Sequence, residues 1–224
     1  MNHPNIPLAE RMRPHNLDQY YGQKHLVGPT GILRRYIEGG VIPSMILWGP
    51  PGVGKTTLAN IIANQMKVPF VALSAINAGV KDIREVIEQA KKRQGTVLFI
   101  DEIHRFNKSQ QDALLGAVEK GTVTLVGATT ENPSFEVISA LLSRCQVYIL
   151  KHLTKDELIE LVDKALEQDE WMRHRKVRIE EYEALLTISG GDARKLLNLL
   201  EIVAEGIKAD EVVVTNELVK QVAQ

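Results

Sequence analysis

An apolar tetrapeptide, Met45-Ile46-Leu47-Trp48, runs straight into GPPGVGKT at Gly49 to Thr56, and the helix-forming run Lys55 to Met66 follows. Three glycines in six residues rule out a regular strand or helix across the junction, so the chain must turn between a buried strand and the start of a helix. The first N–H groups of that helix have no partners within it. Together with the helix dipole they converge on one point, which suits a polyphosphate. Gly49, Gly52 and Gly54 keep side chains out of the way, Lys55 can reach the β- and γ-phosphates, and the Thr56 hydroxyl can bind Mg²⁺. The segment predicts a phosphate-binding loop and hence a nucleoside triphosphate ligand.

Short β-rich runs recur between helical stretches: Met45 to Trp48, Phe70 to Leu73, Val97 to Ile100, Val123 to Val126 and Val147 to Leu150. They are nearly continuous in apolar residues, as strands covered on both faces are. Helices are predicted over Gly31 to Ile37, Lys55 to Met66, Val80 to Arg93, Ser109 to Glu119 and Glu136 to Leu142. The fold class expected is α/β, with a parallel five-stranded sheet flanked by helices and ligands beyond the strand carboxyl ends.

After Leu150 the pattern changes. Thr154-Lys155-Asp156-Glu157 reads as a capping box opening an apolar-periodic helix, and further helices are expected over Glu180 to Ile188, from Asp192 after the Gly190-Gly191 break, and over Thr215 to Gln224. Charge divides at the same place. Residues 1–152 carry a formal +5 and residues 153–224 a formal −6, within a net charge of −1. The expected organisation is a nucleotide-binding domain over 1–152 and a small all-helical lid over 153–224. An excess of +5 over a domain of that size does not by itself point to nucleic acid.

The single cysteine, Cys145, excludes an internal disulfide. It reads as a small packing residue, since no partner base is evident. The start, MNHPNIPLAERM, has no apolar signal core, and no segment approaches the roughly 18 to 20 apolar residues that span a bilayer. The expectation is a cytoplasmic, nucleoid-associated protein with no membrane partner.

VLFIDEIH, Val97 to His104, ends an apolar strand in two adjacent carboxylates about 45 residues past the phosphate loop. With such a loop upstream, Asp101 would hold Mg²⁺ with Thr56, and Glu102 would polarise the attacking water. Read alone, the pair is equally a solvated strand end. Thr122 to Asn132, TVTLVGATTEN, ends another strand in hydroxyls. Thr130 could sense the γ-phosphate, or Thr129 and Thr130 could simply cap a turn before Pro133. Arg144 in Ser143-Arg144-Cys145 stands where an arginine finger would, or is an ordinary solvated arginine. Arg194, on the first turn of the helix capped by Asp192, could point at a nucleotide between the domains, or is a surface arginine. His104 reads as a packing or hydrogen-bonding residue rather than a metal ligand.

In this order GPPGVGKT, FIDEIH, GATTENPS, LLSRC and GDARKLLN resemble an AAA+ ATPase of the clamp-loader and Holliday-junction-motor branch. PLAERMRP, YYGQKHLVG, IHRFNKSQQDALL and ATTENPSFEVISALLSRC resemble, within it, the MgsA/RarA replication-associated recombination family, whose eukaryotic relatives interact with the Werner helicase. The resemblance covers the whole chain. It implies ATP and Mg²⁺ as ligands, with Gly49, Pro50, Pro51, Gly52, Val53, Gly54, Lys55, Thr56 and Thr57 around the phosphates. It also implies Asp101 and Thr56 on the metal, and Glu102 and Lys55 in catalysis. Thr130 becomes sensor 1, Arg194 sensor 2, and Arg144 a finger acting in trans. An adenine pocket is implied around Arg13, Tyr21 and Gly22, and DNA contact at Arg105, Asn107 and Lys108. Arg173, Arg175, Lys176 and Arg178 form a second basic cluster for which a solvated surface is the competing reading.

Family members continue into a helical domain that builds a tetramer, so assembly into a homo-oligomer is expected of the longer protein, and this stretch alone could be monomeric. The expected function is Mg²⁺-dependent ATP hydrolysis coupled to DNA remodelling or protein recruitment at stalled replication forks, with single-strand binding protein as a partner. Three other readings remain: a nucleotide-gated interaction module with incidental hydrolysis, a clamp-loader-like ATPase, and, more weakly, a small-molecule kinase.

Overall fold

A computed structural model describes residues 5–93 and 95–223. In chain order they form α1 (Leu8–Arg11), α2 (Lys24–Val27), α3 (Ile32–Gly39), β1 (Met45–Trp48), α4 (Lys55–Met66), β2 (Phe70–Ser74), α5 (Val80–Ala90), β3 (Thr96–Asp101), α6 (Lys108–Glu119), β4 (Val123–Thr129), α7 (Pro133–Glu136), α8 (Ser139–Leu142) and β5 (Gln146–Ile149). There follow α9 (Lys155–Gln168), α10 (Glu170–His174), β6 (Val177–Ile179), α11 (Glu183–Ser189), α12 (Ala193–Gly206), β7 (Val212–Val214) and α13 (Asn216–Val222). Helical turns of the 3-10 type lie at Leu17–Gln19 and Ile103–Arg105. None of these helices is long and apolar enough to cross a membrane.

The chain divides into two compact units, Pro14–Lys151 and a second made of the residues before Pro14 together with His152 onward. The boundary expected after residue 152 assigned the first thirteen residues to the α/β unit; the structure groups them with the helical one. The reason is chemical. Leu8 is fully buried, its N–H donates to Glu201 Oε2 at 2.8 Å, and the Arg11 guanidinium forks onto Asp169 at 2.7 and 3.0 Å while also donating to Glu201 at 2.8 Å.

In the α/β unit all five strands run parallel in the order β2-β3-β4-β1-β5. The strand runs read from the sequence are all present, each within a few residues of its expected bounds. β1 shows why a continuous apolar run suits this sheet. Met45 and Leu47 enter a core with Leu58, Ile62 and Phe99, while Ile46 enters the opposite core with Leu98, Ile100 and Leu114. All three β1 side chains are fully buried, each contributing about 1.5–3 kcal/mol. α4 covers one face through Leu58, Ala59, Ile61, Ile62 and Ala63 and spans the residues expected of it.

The helix expected over Glu136 to Leu142 is broken in two, because Val137 and Ile138 are extended. Gln111 of α6, buried to 2% exposure, supplies the missing partners: its Nε2 donates to Glu136 O at 3.0 Å and its Oε1 accepts from Ile138 N at 2.8 Å. A buried side-chain amide thus replaces two helix bonds.

The helical unit carries the Thr154 capping box, with Glu157 N on Thr154 Oγ1 at 3.2 Å and Thr154 N on Glu157 Oε2 at 3.2 Å. It is not purely helical, since β6 and β7 pair in parallel, Val177 with Val212 and Ile179 with Val214. Three β-branched residues in β7, with Val212 and Val214 buried, favour the extended form over so short a run. The helix expected to reach Gln224 ends at Val222, and Gln224 itself lies outside the described residues, as do residues 1–4.

Candidate nucleotide site

The carboxyl ends of β3, β4 and β1 lie side by side in the sheet, and each delivers one part of the site. From β1 the chain enters the glycine-rich turn. Its first residue is tied sideways to the neighbouring strand, Gly49 N donating to Thr129 O at 3.1 Å. The turn ends at Gly54, which sits at φ 95° and starts α4. A Cβ there would lie 2.7 Å from the Tyr20 hydroxyl oxygen, so both conformation and space demand glycine. Lys55 Nζ donates to Gly49 O at 2.6 Å and Pro50 O at 2.7 Å, holding its charge over the mouth of the loop.

Tyr20 closes the loop from the other side. Its hydroxyl lies 3.0 Å from Gly54 O and 3.2 Å from Val53 O, and burial pushes its pKa well above the usual tyrosine range. Three residues on, Gln23 adopts a left-handed conformation at φ 54° and pairs with the Lys151 backbone like a strand residue. Its Nε2 donates to Lys151 O at 2.7 Å and its Oε1 accepts from Lys151 N at 2.8 Å. The sequence reading passed over Tyr20 and Gln23; adjacent tyrosines in Tyr20-Tyr21-Gly22-Gln23 give no sign of which one faces inward.

β3 ends at Asp101, exposed, followed by Glu102 in a left-handed conformation at φ 53°. That conformation is unusual for glutamate. Asp101 Oδ1 accepts from Glu102 N at 3.0 Å. Glu102 Oε2 is buried with no hydrogen-bond partner, and Arg105 Nε stands 3.8 Å away. A buried carboxylate oxygen without a donor is costly, and a water or metal-bound water presented to it would relieve the cost.

Among the described residues no group of three or more His, Cys, Asp or Glu could hold a metal alone. A site of one carboxylate and one hydroxyl, Asp101 and Thr56, suits a hydrated Mg²⁺ that takes its other ligands from phosphate and water. The donor set, and a Glu102 oxygen that accepts no hydrogen bond, fit Mg²⁺ with a bound nucleotide.

At the end of β4, Thr129 is 1% exposed, while Thr130, the expected sensor, lies one residue past the strand and is exposed. Thr129 Oγ1 lies 2.9 Å from His104 Nδ1, accepts from Glu131 N at 2.9 Å and lies 3.2 Å from Glu131 O. His104 is thus a hydrogen-bonding residue, in keeping with its sequence reading.

Arg144 precedes β5. It bonds Ala140 O and Ser143 Oγ and pairs with Glu119 at the end of α6, with both side chains more than a third exposed. Such a pair contributes at most about 1 kcal/mol and exchanges easily. Arg194 is exposed on the first turn of α12 in the helical unit, where Asp192 Oδ1 caps Lys195 N at 3.0 Å. The expected adenine trio falls in two units: Arg13 pairs with Glu10 at 2.7 Å in the helical one, while Tyr21 and Gly22 belong to the α/β unit.

Of the DNA candidates, Arg105 and Lys108 are exposed, whereas Asn107 is the N-cap of α6, its Oδ1 accepting from Gln110 N at 2.9 Å. In the second basic cluster Arg173, Lys176 and Arg178 are exposed. Arg175 caps the end of α12 through Ala204 O, Ile207 O and Ala209 O, and Arg178 pairs with Glu180 at 3.0 Å and Glu211 at 3.7 Å.

Residues 45–153 match the family model described as "ATPase family associated with various cellular activities (AAA)". The chain is 53% identical over 209 residues to replication-associated recombination protein A of Coxiella burnetii, covering 91% of this chain and 48% of that protein. It is 49% identical to the Escherichia coli K12 protein of the same name, covering 92% and 47%. The chain thus spans about half the length of these curated relatives. Among solved structures it is similar to the Thermotoga maritima RuvB Holliday junction branch migration motor, with a TM-score of 0.76 and 32% identity, covering 94% of this chain and 72% of that one. With the phosphate loop, the Asp101-Glu102 strand end and the β2-β3-β4-β1-β5 sheet in place, the chain belongs to the AAA ATPases, enzymes that hydrolyse ATP, in the branch of the replication-associated recombination proteins A.

Proposed function

We propose that the chain binds Mg²⁺-ATP in the Gly49 to Thr57 loop and hydrolyses it, and that the longer protein couples this cycle to remodelling of DNA or recruitment of proteins at stalled replication forks. The buried Oε2 of Glu102, which accepts no hydrogen bond, carries the chemical part of this reading. A carboxylate in that state accepts a proton from water and orients it for attack. Lys55 exchanges the carbonyls of Gly49 and Pro50 for β- and γ-phosphate oxygens, which are better acceptors for a cation. Thr56 and Asp101 hold Mg²⁺, which spreads the charge developing on the phosphoryl oxygens. Exposed Thr130 meets the γ-phosphate.

Arg144, loosely paired on its own surface, is free to serve a neighbouring copy's nucleotide, so turnover depends on assembly. The family resemblance assigns Arg194 to sensor 2. Arg105 and Lys108 lie just past the catalytic turn and suit phosphate contacts to DNA. Similarity to a branch migration motor and to recombination proteins supports DNA as the target. Single-strand binding protein is the recruitment partner that the family resemblance favours.

The test is phosphate release by the full chain and by Glu102→Gln, with ATP binding measured alongside and with forked DNA present or absent. Glu102→Gln should bind ATP within about twofold of the parent and lose about 100-fold or more in turnover. Unchanged turnover with intact binding would remove Glu102 from the mechanism.

A further inference from the structure

We infer that His104 and Thr129 form a latch that positions Glu102, making both of them positioning residues for hydrolysis. The inference rests on the role of Glu102 proposed above. Glu102 is held in an unfavourable left-handed conformation, and nothing bonds its Oε2. Its placement therefore depends on the turn that follows, Ile103–Arg105.

That turn is fastened to β4 at two points spaced like the strand itself. Ile103, fully buried, lies over Gly127, where a Cβ would come within 2.9 Å of Ile103 Cδ1 and 2.8 Å of Ile46 Cδ1. Only a bare backbone lets the turn settle so low. Two residues along, Thr129 Oγ1 meets His104 Nδ1 at 2.9 Å. Packing sets the height of the turn, and the polar contact sets its rotation.

Thr129 also reaches the other parts of the site. Its carbonyl accepts from Gly49 N at 3.1 Å, the first residue of the phosphate loop. Its hydroxyl accepts from Glu131 N at 2.9 Å, closing a turn around Thr130. One side chain and its backbone thus tie together the loop, the sensor position and the catalytic turn. The single hydroxyl proton can go to Nδ1 of a His104 protonated on Nε2, or to Glu131 O with Nδ1–H as the donor. Either arrangement joins the elements.

Losing the latch should let Glu102 drift without disturbing the groups that bind phosphate. Misplacement of a catalytic group by about 1 Å costs up to about 100-fold in rate. The test compares His104→Ala, Thr129→Val, the double variant and His104→Asn in the full chain, reading kcat, ATP affinity and melting temperature. Each single variant should lower kcat by about 10- to 100-fold with ATP affinity within about twofold. The double variant should be no worse than either single one, and His104→Asn, which keeps a polar atom near Nδ1, should recover most of the rate.

Additive losses in the double variant would overturn the latch. So would affinity and melting temperature falling in step with kcat, or His104→Asn behaving like alanine. Glu102→Gln run alongside separates the two levels: if it is inactive while the His104 and Thr129 variants turn over normally, the hydrolytic reading stands and the latch falls.

Discussion

Replacing Arg11 with methionine takes the guanidinium away from two buried carboxylates. Asp169 and Glu201 are 6% and 9% exposed at the side chain and Arg11 only 16%, so water screens the triad poorly. Burial alone would raise the Asp169 pKa. The Arg11 hydrogen bonds and charge, with N–H donation from Met172 and Trp171, overcome this and hold it below the usual carboxylate range. Breaking a buried pair by removing one partner costs about 3–5 kcal/mol, most of it the penalty of the stranded charge. Methionine retains much of the apolar packing volume, so little of the loss comes from a cavity.

The two units need not unfold together, so a single melting temperature would blur the effect. Amide exchange reads it locally. Leu8 N–H donates to Glu201 Oε2, and Met172 N–H donates to Asp169 Oδ1 at 3.0 Å. In Arg11→Met a cost of about 3 kcal/mol lowers protection at both amides by about 100-fold at pH 7, since about 1.4 kcal/mol is tenfold. Acid dependence gives a sharper criterion. In the parent, Asp169 has a depressed folded pKa, so its stabilisation is present above the unfolded value near ~3.9 and is lost as pH falls through the folded value. In the variant the Met172 and Trp171 N–H donors remain but the Arg11 bonds and charge are gone, so the folded pKa moves up toward the unfolded one and acid costs the variant less protection than it costs the parent. Exchange at Leu8 and Met172 within threefold of the parent at pH 7, or the same acid slope in both proteins, would refute the reasoning.

Tyr20→Phe keeps the ring against Gly54 but deletes a hydroxyl bonded to Gly54 O and Val53 O. Gly54 O still accepts from Leu58 N at 2.9 Å, so the loss should be about 1 kcal/mol, seen as a several-fold weaker ATP affinity and faster exchange at Leu58; no change in either would show that the hydroxyl does not brace the loop. Burial pushes the Cys145 thiol up to about 11, so alkylation at pH 8 should run on the order of 100-fold slower in the folded chain than in denaturant, as followed by mass; equal rates would place the thiol at the surface.

The phosphate loop and the paired acids were legible because their chemistry needs contiguous residues. A turn of three glycines before a lysine, and a strand ending in two carboxylates, state their geometry in one line of text. The inner strands β1 and β3 were legible for a related reason, since strands covered on both faces leave little polar to obscure the run, whereas β5 is exposed at Val147 and Ile149. Gln111 escaped notice because its partners, Glu136 O and Ile138 N, lie 25 and 27 residues away, and it broke a helix that periodicity alone would continue. Arg11 escaped for the same reason at greater range, its partners lying 158 and 190 residues along the chain.

The pair Thr129-Thr130 shows where local reading stops. Either hydroxyl could have been the sensor or the cap, because a strand's alternation says that the two differ without saying which one faces in. Register decides it. Trp48 pairs with Thr129, and Ile46 pairs with Gly127, the glycine under Ile103. Odd-numbered positions at the end of β4 therefore meet the catalytic turn, while Val126 and Ala128 enter the opposite core and Thr130, one residue past the strand, is exposed. If that phase is what assigns the roles, Gly127→Ala should displace the turn as the loss of His104 does, lowering turnover while ATP still binds. A residue with no polar atom would then affect hydrolysis through the same geometry, something no motif centred on charged or hydroxyl side chains could anticipate.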